Sequence, residues 1–204
     1  MPVSFEVELD AAVRLLCEGG VAAIPTDTLY GLAADALNSV AIERVFAIKE
    51  RPEGMALPVL LADMEQLSLV AREVPEAARV LAEAYWPGPL TLIVWRAEGL
   101  PPRLTAGSAT VAVRVPDHTV PRELARLLGR PITGTSANIS GSPDPRTMDE
   151  LCAQVGERVD RVLTIGPAPA GAASTIVDLT GDSPGLIREG AIPFTEVAAR
   201  LKAD

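Results

Sequence analysis

An α/β fold, with an open, twisted, mixed sheet and flanking helices, is what this 204-residue chain predicts. Three observations lead there. Apolar, β-branched runs of strand length are interleaved with helical segments, and no internal repeat relates them. Aromatic residues make up only 3% of a chain that is 48% hydrophobic, so the core has to be assembled from Ala, Val, Leu and Ile. No low-complexity linker divides the sequence, so residues 1–204 read as one domain with enough chain for a substantial core.

Taken in order, Asp10 is a candidate cap for a first helix through Glu18, with Val13, Leu16 and Cys17 facing inward and Gly19-Gly20 closing it. Val21–Ile24 reads as a short buried strand. Asn38 or Ser39 can cap a helix over Val40–Ile48 that turns Ile42, Val45 and Phe46 inward. Leu57–Leu61 is a second strand, with Pro58 confined to its start or to an edge. Helical segments follow at Asp63–Ala71 and Pro75–Trp86, and Pro87-Gly88-Pro89 stops the latter. Leu90–Trp95 and Thr110–Val115 are strands separated by the loop Gly99–Ser108. Pro121–Leu128 is a short helix closed by Gly129. Pro131–Thr133 leads as a strand into the polar stretch Gly134–Gly141. Thr147 and Glu150 form a capping box for a helix through Val155. Val159–Ile165, Ser174–Leu179 and Leu186–Arg188 are further strands. A last helix runs from about Thr195 to Lys202, and the Pro- and Gly-rich segment 166–171 is the expected mobile loop.

The formal charge of -9 disfavours broad binding to nucleic acid or anionic membrane but leaves room for a local basic pocket. The opening stretch MPVSFEVELD has neither a basic region nor a long apolar run, so no signal peptide or membrane span is expected and a cytoplasmic location is. Cys17 and Cys152 have no metal or redox spacing and read as buried free thiols. His118, the only histidine, sits at a strand end and reads as a turn residue, which leaves no His-based triad.

The stretch from Pro25 to Pro52 organises the rest. A buried strand ends at Pro25, hydroxyls, a carboxylate and a tyrosine follow in a glycine-containing turn, and a helix then delivers Lys49 and Arg51. Lys202 is the only other lysine, so an interior lysine here stands out against a background of arginine. The reading as a site for a small anion competes with a cationic cap on the preceding helix. The common phosphate loops are absent. An anion would instead meet Arg51, Arg114 and Arg188 with the hydroxyls of Thr135-Ser136 and Ser174-Thr175. Thr110, Ala112 and Arg114 share one face of their strand, and a strand arginine turned inward needs an anionic partner, either a ligand or an internal carboxylate. Ser136-Ala137-Asn138 alone could be a simple turn.

Six motifs in order carry a resemblance that covers the chain from the first helix to Gly190. They are Pro25-Thr-Asp-Thr-Leu-Tyr-Gly-Leu, Lys49-x-Arg51-Pro52, Ala112-Val-Arg114, Thr135-Ser136-Ala-Asn138-x-Ser140-Gly141, Ser174-Thr-Ile-Val-Asp178 and Ile187-Arg188-x-Gly190. Together they resemble the YrdC-like threonylcarbamoyl-AMP synthases, in their short, single-domain bacterial form. The resemblance implies a deep, positively charged cavity in a YrdC-like fold. It implies a nucleotidyltransferase that converts L-threonine, bicarbonate or CO2, and ATP into threonylcarbamoyl-AMP and pyrophosphate, for threonylcarbamoyladenosine modification of tRNA. Thr28, Arg114 and Ser174, beside Gly134, are expected to hold threonine. Arg51, Thr110, Ser136 and Arg188 are expected to contact ATP, and Lys49 and Asn138 complete a catalytic set with Arg51 and Ser136. Mg2+ is expected to arrive with ATP, with no dedicated metal site. Downstream tRNA threonylcarbamoyl-transfer enzymes are the implied partners, with direct tRNA binding weak at most. The chain departs from the family pattern at Met55, where many relatives carry Lys or Asn, and at Asp144, often a small hydroxyl residue. The competing readings are a transferase that handles carbamoyl-adenylate and a double-stranded RNA or tRNA-binding module.

Overall fold

The computed structural model describes residues 4–169 and 171–202. Helix α1 spans Phe5–Cys17 and begins earlier than expected, because the Ser4 hydroxyl accepts from the Val7 amide and supplies the cap that was assigned to Asp10. Its buried face is Leu9, Ala12 and Leu16, whereas Cys17 is exposed, as is Cys152; neither is a core thiol. Strand β1 (Ala22–Ile24) follows, and then β2 (Gly31–Ala33), which comes out of the turn that looked like loop. Helix α2 (Ser39–Lys49) starts at Asn38, whose Oδ1 accepts from the amides of Val40 (2.9 Å) and Ala41 (3.3 Å). It ends at Glu50, held in the left-handed region at φ 50°.

Beyond β3 (Val59–Leu60) and a 3-10 turn over Glu65–Leu69 come α3 (Glu76–Tyr85), β4 (Leu90–Trp95) and β5 (Thr110–Arg114). Helix α4 (Thr119–Leu128) is capped by His118, whose ring Nδ1 accepts from the Val120 amide at 3.1 Å, so the turn residue has a defined structural role. Strands β6 (Ile132–Thr133) and β7 (Thr135–Ser136) flank Gly134. Helix α5 (Met148–Leu151) opens with the expected Thr147–Glu150 capping box and widens into a π turn over Cys152–Gly156. Strands β8 (Arg161–Val162), β9 (Thr175–Asp178) and β10 (Gly185–Arg188) precede α6 (Phe194–Lys202).

The strands form two mixed sheets rather than one. The smaller has the order β7-β2-β1-β8 and the larger β10-β9-β4-β5-β3-β6. The chain passes from the larger sheet to the smaller at Gly134, between β6 and β7. A side chain there would collide with Leu60, since a Cβ would lie 2.6 Å from its Cγ. The buried Thr133 hydroxyl stitches the seam: it donates to the Leu32 carbonyl (2.7 Å) and accepts from the Ala34 amide (3.0 Å). Asp35 bridges to Ile132 beside it, and its fully buried carboxylate pairs with Arg130.

Aliphatic residues do make the core, in two clusters. One gathers Ile42, Val45 and Phe46 of α2 with the inner faces of both sheets, including Leu92, Val94, Val111 and Val113. The other packs Leu9 and Leu16 of α1 and Leu124 and Leu128 of α4 on Ala22, Ile24 and Ala33. Alternation along the larger sheet turns Leu90, Leu92, Val111, Val113 and Val177 into the core and leaves the opposite face for other use. No described helix is long and apolar enough to cross a membrane.

Replacing Thr133 by Val keeps the side-chain shape but strands one buried carbonyl and one buried amide at the seam. The expected loss is about 2 kcal/mol of unfolding free energy, seen as a lower urea midpoint with an unchanged slope. An unaltered midpoint would show that the hydroxyl does not hold the sheets together.

Candidate active site

The free face of the larger sheet looks into a cavity of about 450 Å³. Thr91 and Ile93 of β4, Ala112 and Arg114 of β5, and Ile176 of β9 floor it, because they alternate with the core residues just named. Thr26, Thr28 and Gly31 close it from the smaller sheet, along with Thr135 and Ser136 of β7. Three arginines (Arg51, Arg114 and Arg188) and one carboxylate, Asp144, are the ionised side chains in its wall. A second cavity adjoins it, lined by Lys49, Asn138, Ser140 and Gly141 and sharing Arg51, Met55 and Ser136 with the first.

At one end, Arg114 is almost fully buried. Its Nη1 donates to Asp27 Oδ1 at 2.6 Å and its Nη2 to the Thr28 hydroxyl at 3.1 Å. Burial pulls the guanidinium pKa down and the nearby Arg188 adds to that, while Asp27 opposes both. An internal carboxylate is thus its partner, as one of the two sequence readings required. Arg188 donates through Nε and Nη2 to the Ser174 carbonyl (3.2 and 2.9 Å) and through Nη2 to its hydroxyl (3.2 Å). The same hydroxyl lies 2.9 Å from Thr91 Oγ1. Gly190 makes this packing possible, since a Cβ there would lie 2.3 Å from the Ala173 carbonyl oxygen.

At the other end, Arg51 donates to the carbonyls of Met55 (3.2 Å) and Ala56 (2.8 Å), not to a carboxylate, and burial lowers its pKa. Lys49 does not cap its own helix. It is 1% exposed and reaches across to the segment after β7, where its ammonium donates to the Ser136 carbonyl and to the carbonyl and Oδ1 of Asn138, both at 2.8 Å. Ser136 Oγ donates to the same Oδ1 at 2.7 Å, and the Asn138 amide donates to the Ser142 carbonyl at 2.6 Å. The Ser-x-Asn turn is therefore a cage for a buried cation. Burial, followed by repulsion from Arg51, lowers the Lys49 pKa to about 8, with Asp144 pulling the other way. Between the two cations, Glu50 is held in its left-handed conformation with a 2.7 Å ion pair to Arg158.

Of the residues expected at the site, Thr28, Arg51, Arg114, Gly134, Ser136, Ser174 and Arg188 line one cavity, and Lys49 and Asn138 line its neighbour. Thr110 is not among the lining residues. It shares the strand face of Ala112 and Arg114, but its hydroxyl lies 2.9 Å from that of Ser108 at the outer end of the strand. Met55 sits half-exposed at the junction of the two cavities, and Asp144 puts a carboxylate in the wall. Sequence reasoning missed Thr91, Ile93 and Asp27. Thr91 was detectable as the one polar residue inside an apolar strand, and Asp27 as the acid of the first motif.

Fold and cavity together define a small α/β protein with an arginine-lined cleft suited to anionic ligands. The chain belongs to the Sua5/YciO/YrdC family: the family described as Sua5_yciO_yrdC, telomere recombination, matches residues 14–190. The chain is 40% identical over 192 residues to the threonylcarbamoyl-AMP synthase of Pyrococcus abyssi (strain GE5 / Orsay), covering 94% of this chain and 56% of that protein. Against the threonylcarbamoyl-AMP synthase of Bacillus subtilis (strain 168) the identity is 38% over 193 residues, again 94% and 56%. The crystal structure of P. abyssi Sua5 complexed with L-threonine matches with a TM-score of 0.92 at 38% identity, covering 98% of this chain and 59% of that one. The chain thus spans a little over half the length of these curated relatives.

The lowered Lys49 pKa has consequences of opposite sign for binding and for stability. Its charge is lost as pH rises through about 8, so affinity for an anion of fixed charge such as sulfate should fall from pH 7 to pH 9. The unfolded chain keeps this proton up to ~10.4, so it binds more protons than the native state in that window. The contribution of this group to stability therefore rises there. Sulfate titrations and melting curves across that range separate the two effects, since sulfate does not titrate there, and Lys49→Met should abolish the pH dependence of binding. A decline that survives in Lys49→Met would place the titrating group elsewhere.

Proposed function

We propose that this chain is an L-threonylcarbamoyladenylate synthase. The observation that carries the reading is a single cavity with Arg114, Thr28 and Ser174 at one end, Arg51 and Ser136 at the other, and Arg188 seated on Ser174, so that two anionic reactants held there would lie side by side. The family membership and the names of the relatives support it, as does the threonine in the P. abyssi structure. On this reading Arg114, Thr28 and Ser174, with the Gly134 backbone, hold L-threonine. Arg51, Ser136 and Arg188 hold ATP, while Thr110 would contribute only from the rim. Lys49 and Asn138 act by fixing the loop that carries Ser136 and by adding positive charge beside Arg51.

In the reaction the threonine ammonium first gives up a proton to solvent; the free amine then adds to CO2 with loss of a second proton, or to bicarbonate with loss of water, to give a carbamate, whose oxygen attacks the α-phosphorus of ATP as the bond to pyrophosphate breaks. Bringing two unit negative charges to ~4 Å costs about 4 kcal/mol at an effective dielectric near 20. Cations already fixed by Ser174, by the Met55 and Ala56 carbonyls and by the Asn138 cage offset that repulsion without reorganising. Holding the reactants in line supplies much of the rest. Among the described residues no group of three or more His, Cys, Asp or Glu is placed to hold a metal. With Asp144 as the single carboxylate in the wall, the donor set fits a Mg2+ that enters as its ATP complex and keeps phosphate and water ligands. Bound there, it would neutralise phosphate charge. We place the protein in the cytoplasm, handing its adenylate to enzymes that transfer the threonylcarbamoyl group to tRNA. The net charge of -9 supports only weak direct contact with the tRNA itself.

Pyrophosphate release is expected to require ATP, threonine and bicarbonate together, with the adenylate detected by mass spectrometry. Serine lacks one methyl group, worth ~1–3 kcal/mol, and should turn over roughly 10- to 200-fold less efficiently. Pyrophosphate release that ignores threonine would overturn the proposal.

A further inference from the structure

We infer that Asp27 divides the cavity electrically, making the Arg114 end a receptor for a zwitterion and closing it to simple anions. This rests on the functional reading above and deepens it. Asp27 is not among the residues that line the cavity, though its neighbours Thr26 and Thr28 are. It lies behind the wall, with a side chain 12% exposed, against an Arg114 side chain that is 7% exposed. One carboxylate oxygen takes the Arg114 hydrogen bond at 2.6 Å; the other is buried and accepts no hydrogen bond. That second oxygen has no neighbour to spread its charge, so the charge acts on Arg114 and on the space in front of it.

The guanidinium has five donors. Three contacts are made within the protein, to Asp27, to Thr28 and, at 3.5 Å, to the Gly88 carbonyl. Two donors, one of them on Nε, are left for a ligand. What faces that ligand is an ion pair of zero net charge with directional donors. An α-amino acid, itself a neutral pair of opposite charges, matches it. Sulfate or a phosphate group can reach the same two donors, but it has no positive group of its own to set against the Asp27 charge behind them. Arg51 at the other end, and Arg188 where it rests on Ser174 beside Arg114, present the opposite arrangement, because their partners are carbonyls and a hydroxyl and their charge is not cancelled by a carboxylate. One cavity therefore sorts two reactants that both carry a negative group: the polyanion goes to the uncancelled arginines and the amino acid to the cancelled one. Asp27 is a positioning and specificity-determining residue that works through Arg114.

Calorimetric titration of wild type and Asp27→Asn with L-threonine and with ATP, in sulfate and in chloride at matched ionic strength, tests this. In wild type, sulfate should weaken ATP binding while the threonine Kd stays within about twofold. In Asp27→Asn the threonine Kd should rise roughly tenfold, since Arg114 loses its charged tether, and it should become sulfate-sensitive because the buried guanidinium is left uncompensated. Loss of packing alone would raise the threonine Kd without sulfate sensitivity, and that result overturns the inference. So does a wild-type protein in which sulfate displaces threonine as readily as ATP, an arm that decides the matter even if the variant fails to fold. If wild type binds ATP but no threonine, the functional reading falls and takes this inference with it. Threonine binding and turnover with the wrong sulfate pattern sinks the inference alone.

Discussion

A protonated amine withdrawn from water needs an oxygen for each of its hydrogens, and Lys49 finds all three within residues 136–138. Much of the site depends on that demand. The ammonium ties the end of α2 to the segment that leaves β7, so a helix from one part of the chain and a turn nearly ninety positions away are locked together. The Asn138 side chain, already accepting from Lys49, also takes the Ser136 hydroxyl proton, which leaves the Ser136 oxygen as an acceptor with a fixed direction. Glu50 then reverses the chain in a conformation that glycine would adopt more readily. Its ion pair to Arg158 and the Lys49 cage on its other side hold it there, and Arg51 leaves the turn at the wall shared by the two cavities.

The same logic governs the wider charge distribution. This is an acidic protein, yet it withholds carboxylates from the cations of its cleft. Many arginines elsewhere have acidic partners, as Arg44 with Asp160, Arg130 with Asp35, Arg158 with Glu50 and Arg161 with Glu8, although Arg96 and Arg122 also rest on carbonyls. Around the cleft the partners are backbone carbonyls and hydroxyls, with Asp27 behind Arg114 and Asp144 in the wall as the exceptions. A carbonyl satisfies an N–H without cancelling its charge. Positive potential is thereby kept for a ligand inside a molecule whose overall charge is -9.

How much of this was legible in the sequence follows from how local each signal is. Strand β4 was read to the residue, because a six-residue run with five apolar positions, set off by Pro87-Gly88-Pro89, admits little else. The Thr147–Glu150 capping box and the Gly129 stop were equally legible, since each needs only its own few residues. The short strands β2 and β7 were taken for loop: two or three residues, one of them glycine, carry no periodicity, and their pairing with each other is a fact of tertiary structure. The same cause turned one expected sheet into two. The start of α1 was misplaced because Asp10 is as good a cap by type as Ser4, and only packing decides between them. At the site, the motif residues converge; Thr91 was detectable in sequence as a polar residue in an apolar strand, but its place in the cavity floor comes from the register of β4 against β9. Thr110 was expected at ATP from the resemblance, and its shared strand face with Arg114 says nothing of how far along the strand the cavity reaches. Cys17 and Cys152 were assigned to the interior by residue type, and exposure is set by which helix face they fall on.

Strand β10 is paired on one side only, against β9, and Leu186 and Ile187 are exposed on it. An unpaired strand carrying two bare aliphatic side chains is a template on which a second molecule can add its own strand. Here the ladder is broken by a register shift between Leu186 and Arg188, and Arg188 and Glu189 follow at once, so the available edge is short and interrupted. The remaining safeguard is collective, since molecules of like charge keep their distance. That safeguard vanishes near pH 4.7, where the net charge passes through zero. The outer rim of the sheet whose inner strands floor the cleft is thus one edge at which two molecules can meet, and mild acid is the condition that favours it.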